Sequence, residues 1–251
     1  MFVVSHTEAM ASGSNTGSVI AKGDEETGQR IEVVRTSTIS NRLANPAPLA
    51  MGGFATTLTS VSLVMMQARG VTNQTVLVAD LCFVACVALL ISAQWDMVRG
   101  QTFSYTVLSA YGLFYGGYGA LMLPSLGIVD SYGGYTPEYY NAMGVFILLW
   151  AVLNLFFLVA SVAFNFVYIS IFATLQVCLT LDAGGWFLLA NGNGATSIAL
   201  TKASGVFGFL AGLLGFYTTA HYLCEDALPF DIPMGDTSRI VARWRRQKIK
   251  K

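Results

Sequence analysis

From Tyr139 to Leu181 the chain reads YYNAMGVFILLWAVLNLFFLVASVAFNFVYISIFATLQVCLTL, and no side chain in this stretch carries a charge. A helix that crosses the hydrocarbon core of a bilayer needs about 20 mostly apolar residues. The run is long enough for two such helices, with a break near Asn165. Three shorter charge-free runs share its character: Leu43–Ala68, Gln101–Val129 and Ala203–Cys224. A fifth segment, Val76–Trp95, carries Asp80 one turn inside it. A carboxylate is tolerated near a helix N-terminus, where the helix dipole and headgroup water both favour it. The pattern predicts an all-α membrane protein with six spanning helices. They run roughly over Pro48–Gln67, Val76–Trp95, Thr102–Leu123, Tyr140–Ala160, Phe166–Leu181 and Ala203–Cys224.

Composition agrees. Of the 251 residues, 54% are apolar and only 11% are charged, against about 45–50% and 25% in ordinary soluble domains. Mean hydropathy is +0.58. So few charges cannot cover a soluble globule of 27.0 kDa, and they exclude a disordered chain, a coiled coil and a basic nucleic-acid binder. Three regions follow. Residues 1–44 are rich in Ser, Thr, Gly and Glu and read as a flexible tail without a signal-peptide pattern. Residues 45–225 hold the helices. Residues 226–251 end in RIVARWRRQKIKK, with seven Lys or Arg around Ile240 and Trp244, a composition suited to anionic headgroups.

Positive charge sets the expected orientation. With both ends inside, Lys22, Arg30, Arg35, Arg42, Arg99 and the seven C-terminal Lys/Arg face the cytosol, while Arg69 and Lys202 fall outside. That asymmetry predicts N-in, C-in. The segment Asp182–Lys202, with Asn191-Gly192-Asn193-Gly194, reads as an external turn region.

No constellation for chemistry appears. The histidines are His6 in the tail and His221 near the end of the last helix. Cys82, Cys86, Cys178 and Cys224 all lie in predicted helices; Cys82 and Cys86 share one face at i, i+4 with no His or carboxylate partner on it, so no metal site is expected and all four read as packing residues. The expectation is a protein that is not an enzyme and has no metal and no cofactor.

The segment Ala44-Asn45-Pro46-Ala47-Pro48-Leu49-Ala50-Met51-Gly52-Gly53-Phe54 is the most informative. Two prolines stiffen a helix entrance, where a missing N–H costs nothing. Asn45 suits the cap, and the free N–H groups of the first turn would form a small anion site at the membrane edge. NPAPLAMGGF also resembles the NPAPLGL signature of the acetate uptake transporter (AceTr) family, which includes fungal ammonia/acetate transporters and bacterial succinate–acetate permeases. Gly100-Gln101-Thr102-Phe103 followed by Ser109-Ala110-Tyr111-Gly112 is similar to that family's GNTF and SYG elements. Ile232-Pro233-Met234-Gly235 resembles its LPIG-like close. Ala50-Met51 replaces Gly-Leu, Gln101 replaces Asn, and His221 stands where a Glu is expected.

The resemblance implies a six-helix protomer that assembles as a hexamer in the plasma membrane, each protomer passing acetate or a similar monocarboxylate. It implies an entrance at Asn45, Pro46, Ala47, Pro48 and Leu49. It also implies an aromatic–aliphatic constriction, matched here by Phe54, Tyr111 and Leu175. The residues themselves offer neutral polar groups for the pathway: Thr56, Thr57, Asn154 and Gln176. Between Gly100 and Thr201 there is no Lys or Arg, so no buried cation is expected to trap a carboxylate. A carboxylic acid with a pKa near that of Glu, about 4.3, is neutral in only about one molecule in 500 at pH 7. A path for the anion, with or without a proton, is therefore required. Gly205, Gly208, Gly212 and Gly215 form one face of the last helix, suited to close packing within or between protomers. The function expected is a transporter or channel for acetate-like monocarboxylates, with lipid and copies of itself as partners and no nucleic acid. The alternatives are an ammonium or ammonia transporter and a membrane sensor that transports nothing.

Overall fold

A computed structural model describes residues 43–227, 229 and 232–237. The readings made for the N-terminal tail up to residue 42, and for the basic C-terminal end from residue 238, lie outside the described residues. The described elements are helical, apart from an isolated bridge between Asn165 and Asp236. In chain order they are α1 (Ala47–Met65), α2 (Cys86–Val98), α3 (Thr102–Leu121), the short α4 (Ile128–Ser131), α5 (Pro137–Ser161), α6 (Phe166–Ala190) and α7 (Gly194–Ala227). A 3-10 turn at Thr75–Leu77 and a π-helical stretch at Asp80–Ala85 lead into α2, making one rod over Thr75–Val98.

Among the described residues, five helices are long and apolar enough to cross a membrane, and α3 makes a sixth when joined to Pro124–Ser131 across a 77° bend. Local chemistry explains several boundaries. Pro48 and Pro137 occupy the first turns of α1 and α5, where proline removes no intrahelical bond. The break near Asn165 falls where the sequence places it: Asn165 caps α6, its side chain accepting from the Tyr168 N–H at 2.8 Å.

One boundary differs from the sequence reading. The segment Asp182–Lys202 is helical almost throughout. α6 continues to Ala190, α7 begins at Gly194, and only three residues turn between them. Asp182 and Lys202 look like ends of apolar segments, but Ala183-Gly184-Gly185 is a packing face rather than a break. A Cβ on Gly185 would lie 3.1 Å from Thr201 Oγ1, and Ser197 Oγ donates to the Gly185 carbonyl at 2.8 Å. The turn falls instead at Gly192, whose φ of +77° suits glycine.

α7 is the central pillar, with α1 and α6 packed along it, α5 on α6, and α3 on α2. Its glycine face meets α1 of the same protomer, which settles where that stripe packs. A Cβ on Gly208 would lie 2.5 Å from Ser62 Oγ, one on Gly215 would lie 2.9 Å from the Phe54 ring, and one on Gly212 would overlap Thr59 Oγ1. Small residues let the two backbones approach. Gly212→Leu is accordingly expected to destabilise the protomer itself, by about 1–3 kcal/mol or more of overpacking strain. Thermal unfolding of the detergent-extracted protein checks this; an unchanged midpoint with altered assembly would place the stripe between subunits instead.

The cysteines fill comparable hollows. Positions for a Cβ on Gly116 and Gly119 of α3 lie 2.8 Å from Cys86 Sγ and 2.7 Å from Cys82 Sγ. The two sulfur atoms are knobs in a glycine-lined groove.

The segment 232–237 folds back as a strap. Phe166 N–H donates to the Gly235 carbonyl at 2.8 Å and Thr237 N–H to the Phe164 carbonyl at 3.2 Å. Tyr217 of α7 donates to the Pro233 carbonyl at 2.5 Å. His221 Nδ1 lies 2.6 Å from the Ile232 carbonyl. A carbonyl only accepts, so that nitrogen carries the proton.

Candidate functional site

α1 turns Ala47, Ala50, Met51 and Phe54 to one face, at intervals of 3, 1 and 3 residues, and all four line a single cavity of about 240 Å³. Val107, Leu108 and Tyr111 of α3, with Ile171, Phe172 and Leu175 of α6, complete its deeper wall. Phe54, Tyr111 and Leu175 thus come together from three helices that are far apart in sequence. All three are buried. At the mouth stand Asn45, Asp96, Arg99, Gln101 and Ser104. Phe103 stacks on Phe164 at 4.5 Å, and the Tyr168 and Tyr222 hydroxyls are hydrogen-bonded at 2.8 Å. These four rings wall the opening.

A second cavity, of about 650 Å³, opens at the other end of the bundle. Tyr118 of α3, Tyr139 and Met143 of α5, Trp186 of α6 and the loop around Pro124 line it. Tyr111 belongs to the first cavity and Tyr118 to the second, seven residues apart on α3, or about 10 Å at 1.5 Å per residue. Tyr115, buried between them, lies in the closed section. A closed section of the bundle therefore separates the two cavities, and Phe54, Tyr111 and Leu175 line the first cavity on the side facing it.

Tyr111 is held from behind. Its hydroxyl donates to Asn154 Oδ1 at 2.6 Å, and Asn154 Nδ2 donates to Gln176 Oε1 at 2.8 Å and to the Phe172 carbonyl at 3.0 Å. Asn154 is fully buried. The network ties α3, α5 and α6 together at the depth of Tyr111. Asn154 and Gln176 are thus anchors for Tyr111, and neither lines either cavity.

The other polar candidates separate. Thr57 is fully buried and donates to the Asp80 carbonyl at 3.3 Å, joining α1 to the π-helical stretch. Thr56 is exposed on the far side of α1. Neither lines either of these two cavities. In the entrance motif, Asn45 and Ala47 line the mouth, whereas Leu49 points away and is exposed. Pro46, not Asn45, occupies the cap position, and Asn45 Oδ1 accepts from the Ala47 N–H at 3.1 Å, two residues on, as in an Asx turn. Ala47 N–H is thereby used and Pro48 has none, so the first turn offers fewer free donors than an anion site needs.

Two charged residues were not singled out by the sequence reading. Arg99, which had counted only toward orientation, lines the mouth of the first cavity. Gly100, with φ +74°, makes the tight turn into α3 beyond it. Asp182 lies seven residues beyond Leu175 and four before Trp186 on α6, so the three share a face of the helix. Its interaction partners are Trp186, Tyr118 and Cys178, with no cation among them. Along α6 it stands between Leu175 of the first cavity and Trp186 of the second.

The match to the GPR1/FUN34/yaaH family covers residues 28–234. The chain belongs to that family. Its resemblance to acetate uptake transporters, carried by Asn45–Phe54, therefore holds. The chain is 38% identical over 206 residues to the acetate transporter protein patA of Aspergillus clavatus, covering 82% of this chain and 83% of that one. It is 37% identical over 209 residues to the patA protein of Penicillium expansum, covering 83% and 84%. Among solved structures it is similar to the bacterial acetate channel SatP, with a TM-score of 0.64 and 26% identity, covering 77% of this chain and 99% of that one.

Proposed function

We propose that the chain crosses the membrane six times and moves acetate and similar short monocarboxylates through its own helix bundle. The observation that carries this reading is the convergence of Phe54, Tyr111 and Leu175 on the floor of one cavity, in a chain related over most of its length to acetate transporters. A neck of two rings and a Leu side chain passes a short acid and rejects a bulky one by size. The Tyr111 hydroxyl is its polar handle.

Topology supports the same picture. Six crossings return the chain to the side where it began, and the described ends agree: Asn45 and the strap at 232–237 both meet residues of the first vestibule's end. The excess of Lys and Arg on that side supports N-in, C-in, making the first vestibule cytosolic. The tails at 1–44 and 226–251 would then both lie in the cytosol. Apolar side chains exposed along the Thr75–Val98 rod and α5, Phe83, Ile91, Leu149 and Phe156 among them, suit lipid or a neighbouring copy. The hexamer and the plasma membrane location follow from the family resemblance.

Proton coupling, if the acid travels with a proton, has a natural seat at Asp182. Ionisable side chains within membrane helices mark ion paths and proton relays. The titratable groups near it are Tyr118 on α3, with Tyr139 of α5 beyond, and Cys178 on α6. The test is labelled-acetate uptake into liposomes holding the purified protein under an inward proton gradient. The expected result is accumulation above equilibrium in wild type and loss of that accumulation in Asp182→Asn. Passive equilibration in both would make the protein a channel with an incidental acid. An ammonium path draws on the same carboxyl, and labelled methylammonium in the same liposomes separates it: faster uptake of methylammonium than of acetate would favour the cation.

A further inference from the structure

We infer that Arg99 is a carboxylate-docking residue at the mouth of the first vestibule, and that Asp96 is the built-in competitor a substrate must displace. The inference rests on the monocarboxylate reading above and adds to it the site of first contact.

Arg99 lines the cavity and its side chain is only 23% exposed. Its two neighbours both approach the same nitrogen. Nη1 donates to Asn45 Oδ1 at 3.3 Å, and the same Nη1 lies 3.7 Å from Asp96 Oδ1. That second distance leaves an ion pair without a tight hydrogen bond. Nε is buried and has no partner. A guanidinium carries five donors in a fork that matches a carboxylate. Here it is held at one corner and unsatisfied at Nε, beside a cavity sized for a short acid.

The surroundings fix the geometry. Asp96 is buried and accepts from the Ser104 hydroxyl, and the Gln101 N–H donates to the Asp96 carbonyl at 2.9 Å. Asn45, itself tethered to the Ala47 N–H, holds the other side. Among the described residues the basic side chains are Arg69, Arg99, Lys202 and His221, and Arg99 is the one that lines either cavity. Among the described residues, a monocarboxylate entering the vestibule therefore meets one lining cation, at the rim, before the uncharged neck. An Arg–carboxylate contact is strong when bidentate. Asp96, already close, weakens it and so speeds release.

A structural ion pair and a docking pair predict different outcomes. If the pair merely holds α2 against α1 and α3, loss of either partner harms the protein alike. If it docks substrate, the two losses act in opposite directions. The measurement is the acetate concentration giving half-maximal thermal stabilisation of the detergent-extracted protein, at constant ionic strength with chloride, which carries no carboxylate, replacing acetate. Flux into liposomes is measured in parallel. Arg99→Gln is expected to raise the half-maximal concentration about tenfold or more, the loss of a charge-assisted pair. Asp96→Asn, which retains an acceptor for Ser104, is expected to lower it several-fold. Asp96→Asn stands independently of whether Arg99→Gln folds. No change in Arg99→Gln, or weaker binding in Asp96→Asn, overturns the inference while leaving acetate transport intact. Absence of acetate flux in wild type would instead overturn the underlying reading.

Discussion

Truncating Phe54 to alanine is expected to let acids larger than acetate through at rates approaching that of acetate. Phe54 lies nine residues beyond Asn45, about two and a half turns into α1, on the face lined also by Ala47, Ala50 and Met51. Its ring packs against the glycine notch at Gly215, so nothing behind it can move in to refill the space without shifting α7. Removing the ring therefore widens the neck. Lactate is the informative probe, because like acetate it is a monoanion at neutral pH and differs from it in size; succinate, a dianion there, probes charge as well. The change also costs stability. Phe→Ala in a packed interior typically costs about 3–5 kcal/mol, and the ring's cavity side puts Phe54 at the lower end of that range. Fluxes must be compared at equal amounts of folded protein, with Phe54→Leu as a milder neighbour. Unchanged selectivity in Phe54→Ala would move the neck elsewhere, with Tyr115 as the next place to look.

Asn154→Leu is expected to be nearly as damaging, by a different route. Leucine keeps the bulk and removes every polar atom. The Tyr111 hydroxyl loses its acceptor and Gln176 loses its donor in the same step. Each orphaned buried group costs about 1–3 kcal/mol. Untied, the Tyr111 ring is free to leave its rotamer and close or tilt across the neck. The expected outcome is a thermal midpoint several degrees lower and acetate flux about tenfold lower or less, the equivalent of about 1.4 kcal/mol at the barrier. Tyr111→Phe is the control. It deletes the hydroxyl but leaves Asn154 its two donor bonds, so it slows acetate while keeping more of the stability. If Asn154→Leu loses stability but passes acetate at the wild-type rate, the network holds the bundle and has no part in shaping the neck.

The sequence carries much of this fold on its surface, because a bilayer imposes one strong rule. Stretches without charge, such as Tyr139–Leu181, must be helices that satisfy their own backbone. Asn165, a good cap inside that stretch, marks where two helices meet. The motif at Asn45–Phe54 points to the family, and with it to Phe54, Tyr111 and Leu175. What stays hidden depends on which way a side chain turns once helices pack. Arg99 reads as a loop charge, and only the Gly100 turn, with Asn45 approaching from 54 residues away, brings it to the cavity. Asp182 reads as the end of an apolar segment, because pairing of Gly185 with Ser197 and Thr201 is invisible in hydropathy. Thr57 and Gln176 are polar residues in apolar helices like Asn154, yet one serves a π-helical carbonyl and the other an asparagine. Residue type alone does not separate a pathway group from an anchor.

The most direct test of the account is acetate movement by the purified protein when the lipid itself is closed to acetate. At pH 8 only about one acid molecule in 5,000 is neutral for a pKa near 4.3, so leak through bare bilayer is small. Efflux of labelled acetate from liposomes at that pH compares three preparations: wild type, a variant with the neck filled by Tyr111→Trp, and empty vesicles. The account predicts fast efflux in wild type and efflux near the empty-vesicle rate in the filled variant. Wild-type efflux no faster than from empty vesicles would contradict it.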